Sequence, residues 1–276
     1  MSAIGASLRI AFESFAYRVR KREANNLAVT GSMMFAFGLP WIEFVFRGGF
    51  ALLLNMYIYL INDVCDIRVD LASPGKDQDK TSYMASHRGA AWGAVIAEGA
   101  LLAGAAMLHY WLYKTWLLPI AFVANTVIIY AYSQWLKRVP FVDVLIMAVA
   151  GASTTMVGVP STTLGWKLLG VLAILCAGYQ VIQVIRDVQV DTAQKVRTTA
   201  VLLGAARAAW LFRLLVVGAT VYGVLALGSW PALMLLIGVV FPLDVARAER
   251  AWDYARLLFG SVWLVLLVQV FLKQLT

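Results

Sequence analysis

Long apolar runs bounded by charge, Gly or Pro dominate the chain. Nine stand out, at residues 26–46, 48–63, 89–111, 115–135, 140–159, 166–186, 201–227, 230–246 and 251–271. A helix needs about 20 apolar residues to cross a bilayer, so these runs are read as transmembrane helices. The second and eighth are short for a straight crossing, and Pro242 sits near the end of the eighth. Pro119 and Pro140 lie near span starts, where a missing N–H costs little. The expected fold is all-α, a polytopic membrane protein. Residues 1–25 differ: an amphipathic stretch leads into Arg18, Arg20, Lys21 and Arg22, with no long apolar core or small-residue cleavage site. They read as a retained cytoplasmic segment ahead of a transmembrane domain at 26–276.

Composition agrees and excludes an ordinary soluble domain. Hydrophobic residues make up 62% and charged residues 14%, with a mean hydropathy of +0.78, against roughly 45–50% and about 25% in soluble chains. The 23 Lys and Arg exceed the 15 Asp and Glu, giving +8, a balance that in a soluble chain would suggest nucleic acid. Placement argues otherwise. The N-terminal segment, the loops 68–88, 186–207 and 247–256, and Lys137 with Arg138 hold 18 of the 23 basic residues, all on one side of the expected spans. Arg47, Lys114, Lys167 and Lys273 fall on the other side, and Arg213 within a span. Such a bias puts the N-terminus in the cytoplasm and, with nine spans, the C-terminus outside. The charge is then topology and contact with anionic lipid, with no nucleic-acid partner. Cys65 and Cys176 offer no disulfide framework, and His87 and His109 are too few for a metal cluster.

Chemistry concentrates in one segment, Asn62-Asp63-Val64-Cys65-Asp66-Ile67-Arg68-Val69-Asp70. On a helix Asn62, Asp66 and Asp70 share a face, with Asp63 about 100° round. Gln183, Asp187 and Asp191 repeat the spacing four spans later, so the chain reads as two related four-helix halves plus a ninth helix, an organisation that often sets a site at the interface of the halves. Clustered carboxylates repel one another and are expensive near hydrocarbon. The bland reading is a solvated acidic helix end for the first set and ion pairs with Arg186, Lys195 and Arg197 for the second. The repeat favours a divalent cation instead, and oxygen-only ligands suit Mg²⁺, which takes one or two carboxylates plus substrate phosphates. Two such clusters facing each other would clamp a diphosphate, with Lys76, Lys137, Arg138 and Arg197 balancing its charge.

These motifs resemble those of the UbiA superfamily of intramembrane prenyltransferases. Asn62-Asp63-x-x-Asp66-x-x-x-Asp70 is similar to its first aspartate-rich motif and Asp187-x-x-x-Asp191 to its second. Tyr132-Ser133-Gln134-Trp135-Leu136-Lys137-Arg138 resembles its Tyr-Ser...Leu-Lys element, and Arg197-Thr198-Thr199-Ala200 with Leu202-Leu203-Gly204 its Lys/Arg-Ser/Thr-Thr-Ala...Leu-Gly stretch. The resemblance runs from about Arg22 to the ninth helix. It implies nine helices around a central cavity, Mg²⁺ as cofactor, and a prenyl diphosphate donor. By that resemblance Asn62, Asp63, Asp66 and Asp70 hold one metal, and Asp187 and Asp191 the other. Asp66, Asp187, Lys137 and Tyr132 are the expected catalytic residues. Arg22, Asn62, Lys76, Tyr132, Lys137, Arg138, Gln183 and Arg197 are the expected substrate contacts.

Departures bear on the acceptor. Family members acting on aromatic acids or quinone precursors often follow the first motif with Arg-Pro-Leu, where this chain has Lys80-Thr81-Ser82, and Lys195 stands where many members have Gly. The segments 136–143 and Arg22...Asn25-Asn26 look closer to decaprenyl-phosphate phosphoribosyltransferases. The expected reaction is ionisation of the donor, with Mg²⁺ and basic side chains neutralising the diphosphate, and capture of an allylic cation in a water-poor cavity by an aromatic or other lipophilic acceptor. Tyr57, Tyr59, Tyr130 and Trp135 offer faces for the cation, or simple packing. Glu98, in mid-span, reads either as an acceptor contact or as a neutral, hydrogen-bonded acid. Asp143 reads as a cap or ion-pair partner. A terpene cyclase of the same superfamily, a polyprenyl-phosphate phosphoribosyltransferase-like enzyme and a transporter are the alternatives.

Overall fold

The computed structural model describes residues 2–21, 25–72 and 77–275, with side chains as far as Leu272. Every regular element among the described residues is helical. The α-helices are α1 (Ala3–Arg20), α2 (Asn25–Ala36), α3 (Trp41–Leu71), α4 (Gln78–Ser86), α5 (Arg88–Tyr113), α6 (Leu117–Gln134), α7 (Val142–Thr155), α8 (Thr163–Arg186), α9 (Val188–Ala193), α10 (Thr199–Leu203), α11 (Ala205–Leu227) and α12 (Ala248–Leu275). Short 3₁₀ turns at Leu136–Arg138 and Met156–Gly158 and a longer 3₁₀ helix at Trp230–Val240 complete them. Six helices, α3, α5, α6, α8, α11 and α12, are long and apolar enough to cross a membrane. This makes the chain an integral, multi-pass membrane protein.

One expected boundary moves. The sequence places a break at Arg47, between the first two apolar runs. The chain instead turns at 37–40, where Gly38 adopts φ +60° and Pro40 caps α3. That left-handed φ suits Gly, which has no Cβ to clash. Arg47 lies inside α3, only 4% exposed. It pairs with Glu43 one turn earlier and donates to the Val157 carbonyl at 3.1 Å, so it needs no loop to reach water.

The chain forms two compact units. One comprises the chain up to Gly31, Pro40–Gln134 and Thr154–Gly158; the other Ser32–Leu39, Trp135–Ser153 and the chain from Val159 onward. In the first, α1 packs on α3, α4 and α5. Ala6, Ile10, Ser14 and Arg18, one turn apart, form its buried stripe, and Ser7 donates to the Ala90 carbonyl at 2.8 Å. Ile4, Leu8 and Phe12 point outward, as in a helix lying in a membrane interface. Asn125, fully buried, accepts a hydrogen bond from Thr154 at 2.7 Å. It serves as an interhelical link.

In the second unit α8 packs on α11, and Trp230–Val240 on α11 and α12. Small residues permit the approach: a Cβ on Gly170 would meet Tyr222 at 2.4 Å, and one on Gly223 would meet Ala232 at 2.6 Å. Close packing through Gly is what holds helices together where lipid removes the hydrophobic drive. Tyr179 and Phe212 both pack on Phe259, while Ser229 donates to Gln269 at 2.5 Å.

Candidate active site

In the first unit the acidic segment ends α3. Thirty-one residues make that helix, about 46 Å long at 1.5 Å per residue, longer than the roughly 30 Å hydrocarbon core. Its last turns can therefore be polar. Asn62, Asp66 and Asp70 follow one another at helical i, i+4 spacing; Asn62 and Asp66 are half-buried and Asp70 is buried. The Asn62 amide oxygen accepts from the Ser133 hydroxyl at 3.1 Å, tying the motif to the end of α6 next to Tyr132. Tyr132 is half-buried there.

Asp63, grouped with these by sequence, is held differently. It is 2% exposed, and Arg18 of α1 donates to one carboxylate oxygen while Lys80 of α4 donates to the other at 2.7 Å. The Arg18 guanidinium lies over the Tyr59 ring at 4.5 Å, and the Lys80 ammonium over Tyr17 at 4.6 Å. Asp77 caps α4 by accepting from the Lys80 amide at 3.1 Å, which fixes the start of that helix. One carboxylate thus ties three helices together, its charge already balanced by two cations. Sequence alone missed Arg18 and Lys80 as its partners. The available signal was Lys80 itself, a cation in the segment that follows the first motif.

In the second unit the helix pauses at the motif. α8 ends at Arg186, Asp187 caps it, and α9 begins at Val188. The ladder nevertheless continues: the Asp187 amide donates to the Gln183 carbonyl at 3.0 Å and the Asp191 amide to the Asp187 carbonyl at 2.9 Å. Gln183 is half-buried. Asp187 meets Arg186 side by side, at 2.8 and 3.0 Å. Asp191 is half-buried and accepts from the Thr198 hydroxyl at 3.2 Å. Burial, helped by the neighbouring Asp187 charge, pushes its carboxyl up to about 6, against the pull of the Thr198 hydrogen bond and Lys137. Lys137 is half-buried, while Arg138 and Arg197 are exposed. Arg22 and Lys76 lie outside the described residues.

α9 closes in a Schellman turn: the Val196 amide reaches the Asp191 carbonyl at 2.8 Å and the Lys195 amide the Thr192 carbonyl at 3.1 Å. The residue between helix and return in such a turn takes left-handed φ and is usually Gly. Here it is Lys195, at φ +57°, which accounts physically for the Gly that the resemblance sets at this position.

Against known proteins, a profile described as the UbiA prenyltransferase family matches residues 26–270. The chain belongs to this family. A digeranylgeranylglyceryl phosphate synthase of Thermococcus kodakarensis is 31% identical over 216 residues, covering 71% of each chain. A lycopene elongase/hydratase of Corynebacterium glutamicum is 25% identical over 227 residues, covering 78% of this chain and 74% of the relative. Among solved structures, one concerning digeranylgeranylglyceryl phosphate synthase in membranes superposes with a TM-score of 0.73 at 14% identity, covering 96% of this chain and 99% of that one. A UbiA homologue from Archaeoglobus fulgidus bound to GPP and Mg²⁺ does so at 0.62 and 17% identity, covering 96% and 98%. The chain is therefore a UbiA-type prenyltransferase, and these structures share its fold.

The donor set fits a hard cation, though not as a preassembled cage. Among the described residues no three His, Cys, Asp or Glu side chains converge as a metal site. Each motif supplies two Asp one helical turn apart, and the first adds the Asn62 amide. Two carboxylates completed by water and phosphate oxygens are a Mg²⁺ arrangement. The placement of Asp187 and half-buried Asp191 on successive turns of one continuous hydrogen-bond ladder is the observation that fits best, since it sets two carboxylates one above the other.

Proposed function

We propose that this UbiA-type chain transfers the prenyl group of a prenyl diphosphate to a non-aromatic lipophilic acceptor, in a Mg²⁺-dependent reaction at the cytoplasmic face of the membrane. The observation that carries the reading is the placement of Asp187 and half-buried Asp191 one helical turn apart on a continuous hydrogen-bond ladder, since two stacked carboxylates favour a bound cation. The names of the relatives, a lycopene elongase/hydratase and a digeranylgeranylglyceryl phosphate synthase, support an acceptor without an aromatic ring. The A. fulgidus homologue, bound to GPP and Mg²⁺, supports the donor class.

Asn62, Asp66 and Asp70, and Asp187 with Asp191, would hold Mg²⁺, which when bound supplies Lewis-acid stabilisation of the charge on the leaving diphosphate. Asp63 is left out of this set, because both its oxygens already serve Arg18 and Lys80. Lys137, Arg138 and Arg197, with Tyr132 as hydroxyl donor, take phosphate oxygens as the C–O bond breaks. Arg22, Lys76 and Gln183 complete the substrate contacts. Apolar spans on the prenyl side keep water from the allylic cation. The acceptor's electron pair then forms the new bond, and a proton leaves.

We further read the fold as nine crossings, with residues 1–25 an interfacial segment, the N-terminus cytoplasmic and the C-terminus outside. Beside the six long helices, α2, α7 with its 3₁₀ turn and Trp230–Val240 would supply the remaining three crossings. Trp230–Val240 has 11 residues in 3₁₀ geometry, about 22 Å at 2.0 Å per residue, where an α-helix would reach only about 16 Å.

The test is incubation of the purified chain in lipid nanodiscs with labelled geranylgeranyl diphosphate, with and without Mg²⁺, and with a panel of polyene, glycerol-lipid and aromatic acceptors. Expected are Mg²⁺-dependent diphosphate release and a lengthened non-aromatic product, both lost in Asp66→Ala and Asp187→Ala. A cyclic hydrocarbon formed without acceptor would replace transfer by cyclisation. Prenylation of aromatic acceptors alone would overturn the acceptor class.

A further inference from the structure

Asp143 lies in the first turn of α7 and is fully buried, yet what meets its carboxylate is a set of hydrogen bonds. One oxygen accepts from the Val144 amide at 3.0 Å and from the Thr199 hydroxyl. The other accepts from the Thr199 amide at 2.8 Å. The Thr199 hydroxyl oxygen in turn accepts from the Phe141 amide at 2.7 Å. Phe141 sits at φ +67°, a conformation that costs a non-glycine residue free energy and persists only where its surroundings enforce it. Burying a carboxylate on neutral donors alone is likewise costly. Two unfavourable features therefore converge on one joint.

The joint lies between two functional segments. On one side, the turn carrying Lys137 and Arg138 leads through Val139, whose carbonyl accepts from the Asp143 amide at 3.0 Å. On the other, Thr199 is preceded by Thr198, whose hydroxyl holds Asp191 at 3.2 Å, and by Val196, whose amide holds the Asp191 carbonyl. All of these residues belong to the second unit.

We propose that Asp143 and Thr199 form a positioning clamp that sets the phosphate-binding Lys137–Arg138 turn against the Thr198-bearing segment, and so fixes Asp191 for its cation. Neither residue touches substrate. The proposal rests on the function proposed above only in taking Asp191 as a metal ligand and Lys137 and Arg138 as diphosphate contacts. Asp143→Asn keeps the shape of the side chain but replaces one acceptor oxygen with an N–H donor, so it can no longer accept from the Thr199 amide and hydroxyl on separate oxygens. Thr199→Val removes the hydroxyl link, and Thr199→Ser retains it.

Three readouts on the full chain in nanodiscs test the clamp. Hydrogen exchange is expected to speed up in segments 136–143 and 196–203 of Asp143→Asn and Thr199→Val, with α8 and α11 as protected as in the wild type. Mn²⁺ binding, followed by electron paramagnetic resonance without donor, is expected to weaken in both variants. Turnover at saturating Mg²⁺ is expected to fall by about 100-fold, the loss typical of a small misplacement of reacting groups, with Thr199→Ser near the wild type on all three. Unchanged exchange and Mn²⁺ affinity in both variants would overturn the clamp. So would loss of protection throughout the unit, including in Thr199→Val, since that would make the joint a fold element only. A wild-type chain that releases no diphosphate would instead sink the proposed function, while the exchange data still report on the joint itself.

Discussion

The two acidic motifs share a spacing and differ in what surrounds them. In the first unit the motif lies on an unbroken 31-residue helix, and one of its carboxylates, Asp63, is buried between Arg18 and Lys80. In the second the helix pauses at Asp187, and the buried carboxylate nearby, Asp143, is served by amides and a hydroxyl. The first half thus buries its acid between two cations; the second meets its buried acid, Asp143, with neutral groups and pairs Asp187 with Arg186 where both are far more exposed. The likeness in sequence is one of side-chain spacing, and charge balance is set separately by segments outside the repeat. The contrast predicts that stability in the first unit depends on ion pairing through α1 and α4, whereas the second has more to gain from an added cation.

The largest effect should come from Asp63. Removing one member of a buried ion pair typically costs about 3–5 kcal/mol, because the partner is left charged and unpaired. Here Asp63→Asn strands two cations, each 10% exposed or less at the side chain. The expected outcome is a loss in that range in denaturant or thermal unfolding in detergent. Adding Arg18→Met and Lys80→Met to Asp63→Leu should restore much of it, since an apolar replacement of the whole group avoids desolvating charge. A small loss in Asp63→Asn would erase the contrast between the two units.

The acidic residues themselves were legible because a helix converts spacing of four into a shared face, so Asn62, Asp66 and Asp70 could be grouped from the chain alone. Their partners were not. Arg18 meets Asp63 across 45 residues of sequence, and Asp143 meets Thr199 across 56; periodicity describes one element and carries no information on which element will lie beside it. Asp143 was read as a cap or ion-pair partner; it stands in the first turn of α7, and two of its three hydrogen bonds come from Thr199 at the start of α10. The long spans were legible for the same reason as the motifs, since length and hydropathy decide them locally. The Arg47 boundary was misplaced because an arginine beside two glycines reads as a loop unless Glu43 and the Val157 carbonyl are known to receive it.

A second way to sharpen the comparison is the turn after each motif. α3 runs on to Leu71, whereas α9 closes at once with Lys195 in left-handed conformation. That conformation costs a side chain with a Cβ roughly 1–2 kcal/mol. Glycine removes the cost but orders at a greater entropic penalty, about 0.5–1 kcal/mol. Lys195→Gly is therefore expected to stabilise the chain by roughly 0–1.5 kcal/mol, the difference of those terms, with Lys195→Ala near neutral. The same unfolding assay checks both, and a destabilised Lys195→Gly would show that the lysine side chain contributes more than its backbone costs.

The smallest effect should be at Arg186. Its pairing with Asp187 is two-pronged and well formed, so by geometry alone it rivals the Arg18 pairing of Asp63. Exposure separates them: the Arg186 and Asp187 side chains are 39% and 45% exposed, against 10% and 2% for Arg18 and Asp63. Water already solvates the outer pair, so little is lost when it is broken, and exposed pairs typically contribute about 0–1 kcal/mol. Arg186→Gln is accordingly expected to shift unfolding by less than about 0.5 kcal/mol. It also removes a cation from beside Asp187, so Mn²⁺ affinity measured without donor should stay the same or rise. A loss of several kcal/mol would mean that the second motif leans on its own cation as heavily as the first does, and the contrast in charge balance would fail.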